Sequence, residues 1–171
     1  MMSPSRYRVT SRVVETADTV TLVLTPVDEP IAAPKPGQFT MVYAFGVGEV
    51  PISVSGRVNG CDIVHTLRAV GAVTRALSTV DCGTTVGLRG PFGTDWGVPP
   101  GGDLVIVGGG IGLAPLRPVI WHAARHRLRY GRVAVLVGAR TPDDLLYPAE
   151  YESWRAAGLD VYVTVDRAGS G

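Results

Sequence analysis

The stretch GGDLVIVGGGIGLAPLRPVI, residues 101–120, constrains this chain more than any other. A short apolar run hands over to clustered glycines, and a helix-like segment follows. Glycine permits tight positive-φ turns and lets a ligand approach the backbone closely. A helix N-terminus at that point presents unpaired N–H groups and a partial positive charge, which suit a pyrophosphate. The spacing Gly110-x-Gly112-x-x-Pro115 is near the dinucleotide fingerprint, with proline in place of its last glycine. A plain strand-to-helix turn is the alternative reading.

The residues around this cluster repeat one grammar. LVIVGG reads as a continuous apolar strand buried on both faces, as in a parallel sheet. Residues 113–130 suit a helix that Pro115 and Pro118 force to start late or bend early. RVAVLVGAR reads as a second buried strand. PAEYESWRAAG reads as a helix with Pro148 near its start and Gly158 at its end. LDVYVTVDR is a third strand. The order β-α-β-α-β opens a doubly wound sheet. The second strand ends without the acid that would read a ribose hydroxyl. Arg140 stands there, suited to a 2′-phosphate or to plain solvent exposure, so NADH and NADPH both stay open.

The first hundred residues read as β. YRVTSRVVET and TVTLVLTP alternate apolar and polar residues. PKPGQFTMVYAF, VPISVSGRV, CDIVHTLRAV and TTVGLRGPFG bring the strands to six, and Asn59-Gly60 signals a hairpin. GAVTRALSTV interrupts them with one short helix. The expected fold is an N-terminal antiparallel β-barrel over residues 1–100, then an incomplete parallel α/β domain over residues 101–171. The boundary falls near Pro99 to Gly102.

Composition narrows the function classes. A net charge of +1 with no basic stripe argues against nucleic acid. No apolar run reaches the length of a membrane span, and the N-terminus lacks the apolar core of a signal peptide. Cys61 and Cys82 fit no metal spacing, so a cytoplasmic protein with two free thiols is expected, with a disulfide between them left open. His122 and His126 stand four apart without a third ligand. They and His65 read as surface or half-buried, and no metal site is expected.

Four motifs in order carry a family resemblance: VPISVS at Val50–Ser55, RAVGAVTRAL at Arg68–Leu77, GPFG at Gly90–Gly93 and GGGIGLAPLRP at Gly108–Pro118. Together they resemble the ferredoxin–NADP reductase superfamily. Their wording is similar to the electron-transfer subunits of dihydroorotate dehydrogenase and the gamma subunits of cytoplasmic nickel–iron hydrogenases and sulfhydrogenases. The resemblance implies a flavin in the barrel, FAD with FMN as the other option, and NAD(P) on the α/β domain. Hydride would pass between nicotinamide and flavin, and single electrons would leave to an iron–sulfur partner in a multisubunit complex. Ser53 would serve as the catalytic serine near flavin N5. Pro51, Ile52, Arg68, Gly71, Val73 and Thr74 would hold the flavin, the last three at its diphosphate, with helix capping as the other role of Thr74. Gly109, Gly110, Ile111, Gly112 and Ala114 would hold the nicotinamide dinucleotide, with Arg140 at its ribose. Tyr147 would stack near its adenine or fill the core.

The chain also departs from that pattern. The family often places arginine where Val50 stands and tyrosine where Ile52 stands. Losing the arginine removes a charge-assisted phosphate contact, for which Arg57, Arg68 or Arg75 could compensate. The ligands of a two-iron, two-sulfur cluster, expected in the branch, are absent from this sequence, and DRAGSG reads as the middle of a loop. A fragment is therefore expected, exposing a strand edge and part of the core of its α/β half. The alternatives are an oxygenase reductase component or freestanding flavin reductase, and a non-catalytic remnant of such a protein.

Overall fold

The computed structural model describes residues 3–168, so Gly169–Gly171 of the expected loop lie outside it. Contacts divide the chain into two units, Met1–Trp96 and Gly97–Gly171.

The first unit is a closed six-stranded barrel. Its strands are β1 (Ser5–Thr16), β2 (Thr19–Pro26), β3 (Phe39–Ala44), β4 (Gly48–Val58), β5 (Asp62–Arg68) and β6 (Thr85–Phe92). They run in the order β1-β2-β5-β4-β3-β6, every neighbouring pair antiparallel. Closure removes the free edges that an open sheet of this length would carry. The period-two pattern turns Leu22, Leu24, Val42, Val54, Ile63 and Leu67 into one core. Removing one of them, as in Leu22→Ala, would leave a cavity costing about 2–5 kcal/mol. Asn59 and Gly60 both take positive φ, as the hairpin between β4 and β5 demands. Helix α1 (Ala72–Ser78) seats Leu77 fully within the same core.

The second unit is a three-stranded parallel sheet, ordered β7 (Gly102–Gly109), β8 (Tyr130–Ala139), β9 (Asp160–Val165). Helices α2 (Arg117–Arg125) and α3 (Tyr151–Ala156) pack on one face. Val119, Ile120 and Ala123 of α2 and Tyr151 and Trp154 of α3 meet Ile106, Val135 and Val161 of the sheet.

Two expectations change. The long helix over residues 113–130 is instead a 3-10 segment at Gly110–Leu116, then α2, then a 3-10 turn at Arg127–Arg129. Pro115 sits in the first of these and Pro118 in the first turn of α2, where a missing N–H costs least. The strand expected to be buried on both faces is covered on one. Val105 and Val107 are each 66% exposed, and Leu136 and Tyr162, in register with Val107, share that open face. This agrees with the expected exposure of edge and core, since β7 and β9 each pair on one side among the described residues. No helix among those residues is long and apolar enough to cross a membrane.

Candidate functional site

In the second unit the glycine cluster separates into distinct physical roles. Gly110 has φ of +50°, a conformation L side chains rarely take. A Cβ on Gly108 would come within 3.0 Å of Leu113 Cδ1 and 3.1 Å of its Cα, so this glycine lets the turn fold back on its strand. Gly109 and Gly112 differ: neither has positive φ, and among the described residues nothing lies within 4 Å of the position a Cβ would take. Both are exposed. The protein's own packing does not require them, and they leave bare backbone at the carboxyl end of β7. Ile111 is exposed beside them, while Ala114 is buried, so its side chain faces the core.

Arg140 follows β8 and is exposed, its Nη2 donating to Asp144 Oδ1 at 3.3 Å. Thr141 Oγ1 donates to the other oxygen of Asp144 at 2.9 Å. Sequence reading overlooked this acid because it arrives through a short 3-10 turn (Pro142–Asp144), not at the strand end. Tyr147 takes φ of +56° and is 3% exposed within the core. Its ring lies 4.3 Å from the Arg117 guanidinium carbon, which stands at the same distance from the Trp121 ring. Glu150 pairs with Arg117 and accepts from Trp121 Nε1 at 2.9 Å. The geometry is that of core packing, and it leaves Tyr147 little surface for an adenine.

In the barrel, the predicted flavin residues lie on β4 and at the start of α1. Pro51 is exposed; Ile52 and Ser53 are half-buried. Val50 and Ile52 pack against the barrel core, so these aliphatic replacements close that wall. The Ser53 hydroxyl makes no hydrogen bond among the described residues, whereas Ser55 nearby is buried and bonded to the Val64 carbonyl and to Thr66. Thr74 Oγ1 accepts from the N–H groups of Val70 (3.1 Å) and Gly71 (2.9 Å) and donates to the Gly71 carbonyl (3.2 Å). That is helix capping: the hydroxyl is spent on its own turn. Gly71 and Val73 are half-buried.

Of the arginines that could compensate for Val50, Arg68 pairs with Asp18 at 2.6 Å and holds that carboxyl below its usual range. Arg57 donates to the Gly60 carbonyl in the hairpin turn. Arg75 reaches the Val70 carbonyl at 3.2 Å, at the turn that opens α1.

His65 corrects a sequence expectation. It is fully buried, not at the surface, because on β5 it shares with Ile63 and Leu67 the face turned into the barrel interior. Burial lowers its pKa to about 4. Its Nδ1 lies 3.0 Å from the Ser53 carbonyl and its Nε2 2.9 Å from Thr40 Oγ1. A lone histidine in a strand offers no signal of this. His122 and His126 are half-buried, as expected, and stack at 4.4 Å. Cys61 and Cys82 are exposed free thiols.

Residues 106–170 match the family described as an oxidoreductase NAD-binding domain. Over 132 residues the chain is 39% identical to the "Probable dihydroorotate dehydrogenase B (NAD(+)), electron transfer subunit" of Methanocella arvoryzae, a match covering 77% of this chain and 46% of that protein. It is 38% identical over 124 residues to sulfhydrogenase 1 subunit gamma of Pyrococcus furiosus, covering 71% and 42%. Among solved structures, the flavohem-like FAD/NAD binding domain of nitric oxide dioxygenase from Vibrio cholerae aligns with a TM-score of 0.81 at 20% identity, covering 99% of this chain and 77% of that one. An NADH-dependent reduced ferredoxin–NADP oxidoreductase aligns at 0.78 and 24% identity, covering 96% and 58%. These structural likenesses speak for the fold alone. The chain spans about half the length of the curated relatives it matches.

Proposed function

We propose that this chain of the ferredoxin–NADP reductase superfamily is the flavin- and nicotinamide-binding part of an electron-transfer subunit. The observation that carries the reading is the pair Gly109 and Gly112. Two exposed glycines that neither conformation nor packing requires leave backbone bare where a parallel strand meets a turn, the place where α/β sheets bind dinucleotides. A pyrophosphate fits such a surface, with Gly110 and Ile111 between them and Arg140 toward a ribose.

The barrel supports the flavin half. Ser53 keeps an uncommitted hydroxyl on β4, suited to a polar ring edge. The backbone around Gly71 and Val73 opens α1 for a diphosphate, with Arg75 at the same turn, and Thr74 holds that turn in shape. Bound there, flavin and nicotinamide would supply hydride and single-electron chemistry, while the chain supplies alignment and electrostatics. FAD is the preferred flavin and FMN the other option. NAD is the nicotinamide in the name of the first relative, and an exposed Arg140 leaves room for NADP. The names of these relatives, an electron transfer subunit and a gamma subunit, support exchange of electrons with a partner subunit. The motif resemblance makes that partner an iron–sulfur one in this reading.

The test is a visible spectrum of the purified chain mixed with FAD or FMN, then with NADH or NADPH in the absence of oxygen. A yellow protein that bleaches supports the reading. A yellow protein that does not bleach keeps the barrel site and removes the nicotinamide site. A chain that takes up neither flavin overturns the proposal.

A further inference from the structure

The Ser53–Val54 peptide is held at both ends. Its carbonyl lies 3.0 Å from His65 Nδ1, and its N–H donates to the Gln38 carbonyl at 3.0 Å. A carbonyl only accepts, so Nδ1 carries the hydrogen and Nε2 accepts from the Thr40 hydroxyl at 2.9 Å. The ring is neutral in this arrangement and spans from β5 past β4 to β3 through the barrel interior. Immediately after this peptide the β4–β5 pairing loses register, between Val54 and Gly56. A bulge leaves the backbone without its regular ladder, so a side-chain tie at that point does what the sheet there cannot.

We propose that His65 is a positioning residue for Ser53. From inside the barrel it pins the Ser53 carbonyl and thereby sets where the Ser53 hydroxyl stands on the outer side of β4. The proposal rests on the flavin reading above, in which that hydroxyl meets the ring edge. His65 itself touches no ligand: it is 0% exposed, and both ring nitrogens are engaged by the protein. It acts through backbone alone.

The experiment follows the Ser53 carbonyl by carbon-13 NMR in flavin-free protein, then titrates the same samples with FAD. His65→Phe keeps a ring but removes both hydrogen bonds. It is expected to move the Ser53 carbonyl resonance, weaken FAD binding about tenfold and shift the absorption bands of bound flavin. His65→Asn offers an amide N–H where Nδ1–H stood, and is expected to recover most of the lost affinity and the wild-type bands. If His65→Phe does not fold, Thr40→Val frees the ring from its second anchor, on β3, and is expected to move the same resonance and bands by less. General loosening of the barrel would lower the melting temperature without a band shift that Asn reverses. An unmoved Ser53 resonance, or a moved resonance with unaltered FAD affinity and bands, overturns the proposal. Wild-type protein that takes up neither FAD nor FMN overturns the flavin reading and this role with it. The resonance then still reports separately whether the hydrogen bond exists.

Discussion

Gly108 lies so close to Leu113 that a single added carbon would reach 3.1 Å from the Leu113 Cα. One residue on, Gly109 faces open space. The cluster therefore splits into glycines the fold needs and glycines it does not. Gly108→Ala should cost about 1–3 kcal/mol, because backbone must move. Gly109→Ala and Gly112→Ala should stay within about 0.5 kcal/mol of wild type, yet weaken NADH binding about tenfold by covering the bare backbone. Denaturant unfolding and NADH titration of the three variants separate these effects. Equal NADH affinity in Gly109→Ala, Gly112→Ala and wild type would remove the main support for the nucleotide site.

His65 makes stability depend on pH. Its folded pKa is lowered to about 4 by burial, and the Ser53 and Thr40 groups it meets are uncharged. In the unfolded chain it titrates near 6.5. The unfolded state thus binds the extra proton first as pH falls. The contribution is whole above pH 6.5, shrinks between there and pH 4, and is lost below that, about 3 kcal/mol in all. Urea midpoints from pH 8 to 4 should show this slope in wild type, and His65→Phe should lack most of it.

Arg117 is pressed between the Trp121 and Tyr147 rings, and its side chain is 11% exposed. Glu150 is its counter-charge. Its Nε and Nη1 are buried without hydrogen bonds among the described residues, so that counter-charge matters more than usual. Glu150→Ala leaves a buried guanidinium unpaired and should cost about 3 kcal/mol. Arg117→Met keeps the stem between the two rings and should cost less. Chemical denaturation of both variants fixes the order; a larger loss for Arg117→Met would mean that cation–ring contact outweighs the ion pair.

The open face of the parallel sheet has its own consequence. Val105 and Val107 stand side by side with Leu136 and Tyr162 on a surface that water meets directly. A contiguous apolar face with an unpaired edge invites association. Val105→Thr with Val107→Lys should reduce self-association in sedimentation experiments at raised concentration. Melting should change little, since neither side chain is buried in the folded unit.

Much of this was legible in the sequence because local rules decided it. Alternation in TVTLVLTP and CDIVHTLRAV marked two strands, and Asn59-Gly60 marked the turn before the second of them. Pro115 and Pro118 foretold the late start of α2, although not that the chain would fill the gap with a 3-10 segment. Other points were not legible. Thr74 could cap its helix or face a phosphate, since a hydroxyl serves either, and its neighbours' N–H groups chose the cap. Tyr147 could stack on a ligand or fill the core, and the long-range approach of Arg117 settled it inward.

What the sequence determined by itself was periodicity and punctuation: which segments are strands, where turns fall, and where bare backbone meets a strand end. These depend on neighbours within a few residues, where side-chain volume and φ preference act directly. What only the tertiary structure decided was which side of each element is covered. LVIV reads the same whether one face or both are buried, and only the placement of α2 and α3 on one side leaves Val105 and Val107 in water. His65 likewise gains one partner from β4, its hairpin neighbour, and the other from β3, which the barrel sets on the far side of β4. Burial and hydrogen-bond pairing are properties of that assembly, so no local pattern encodes them.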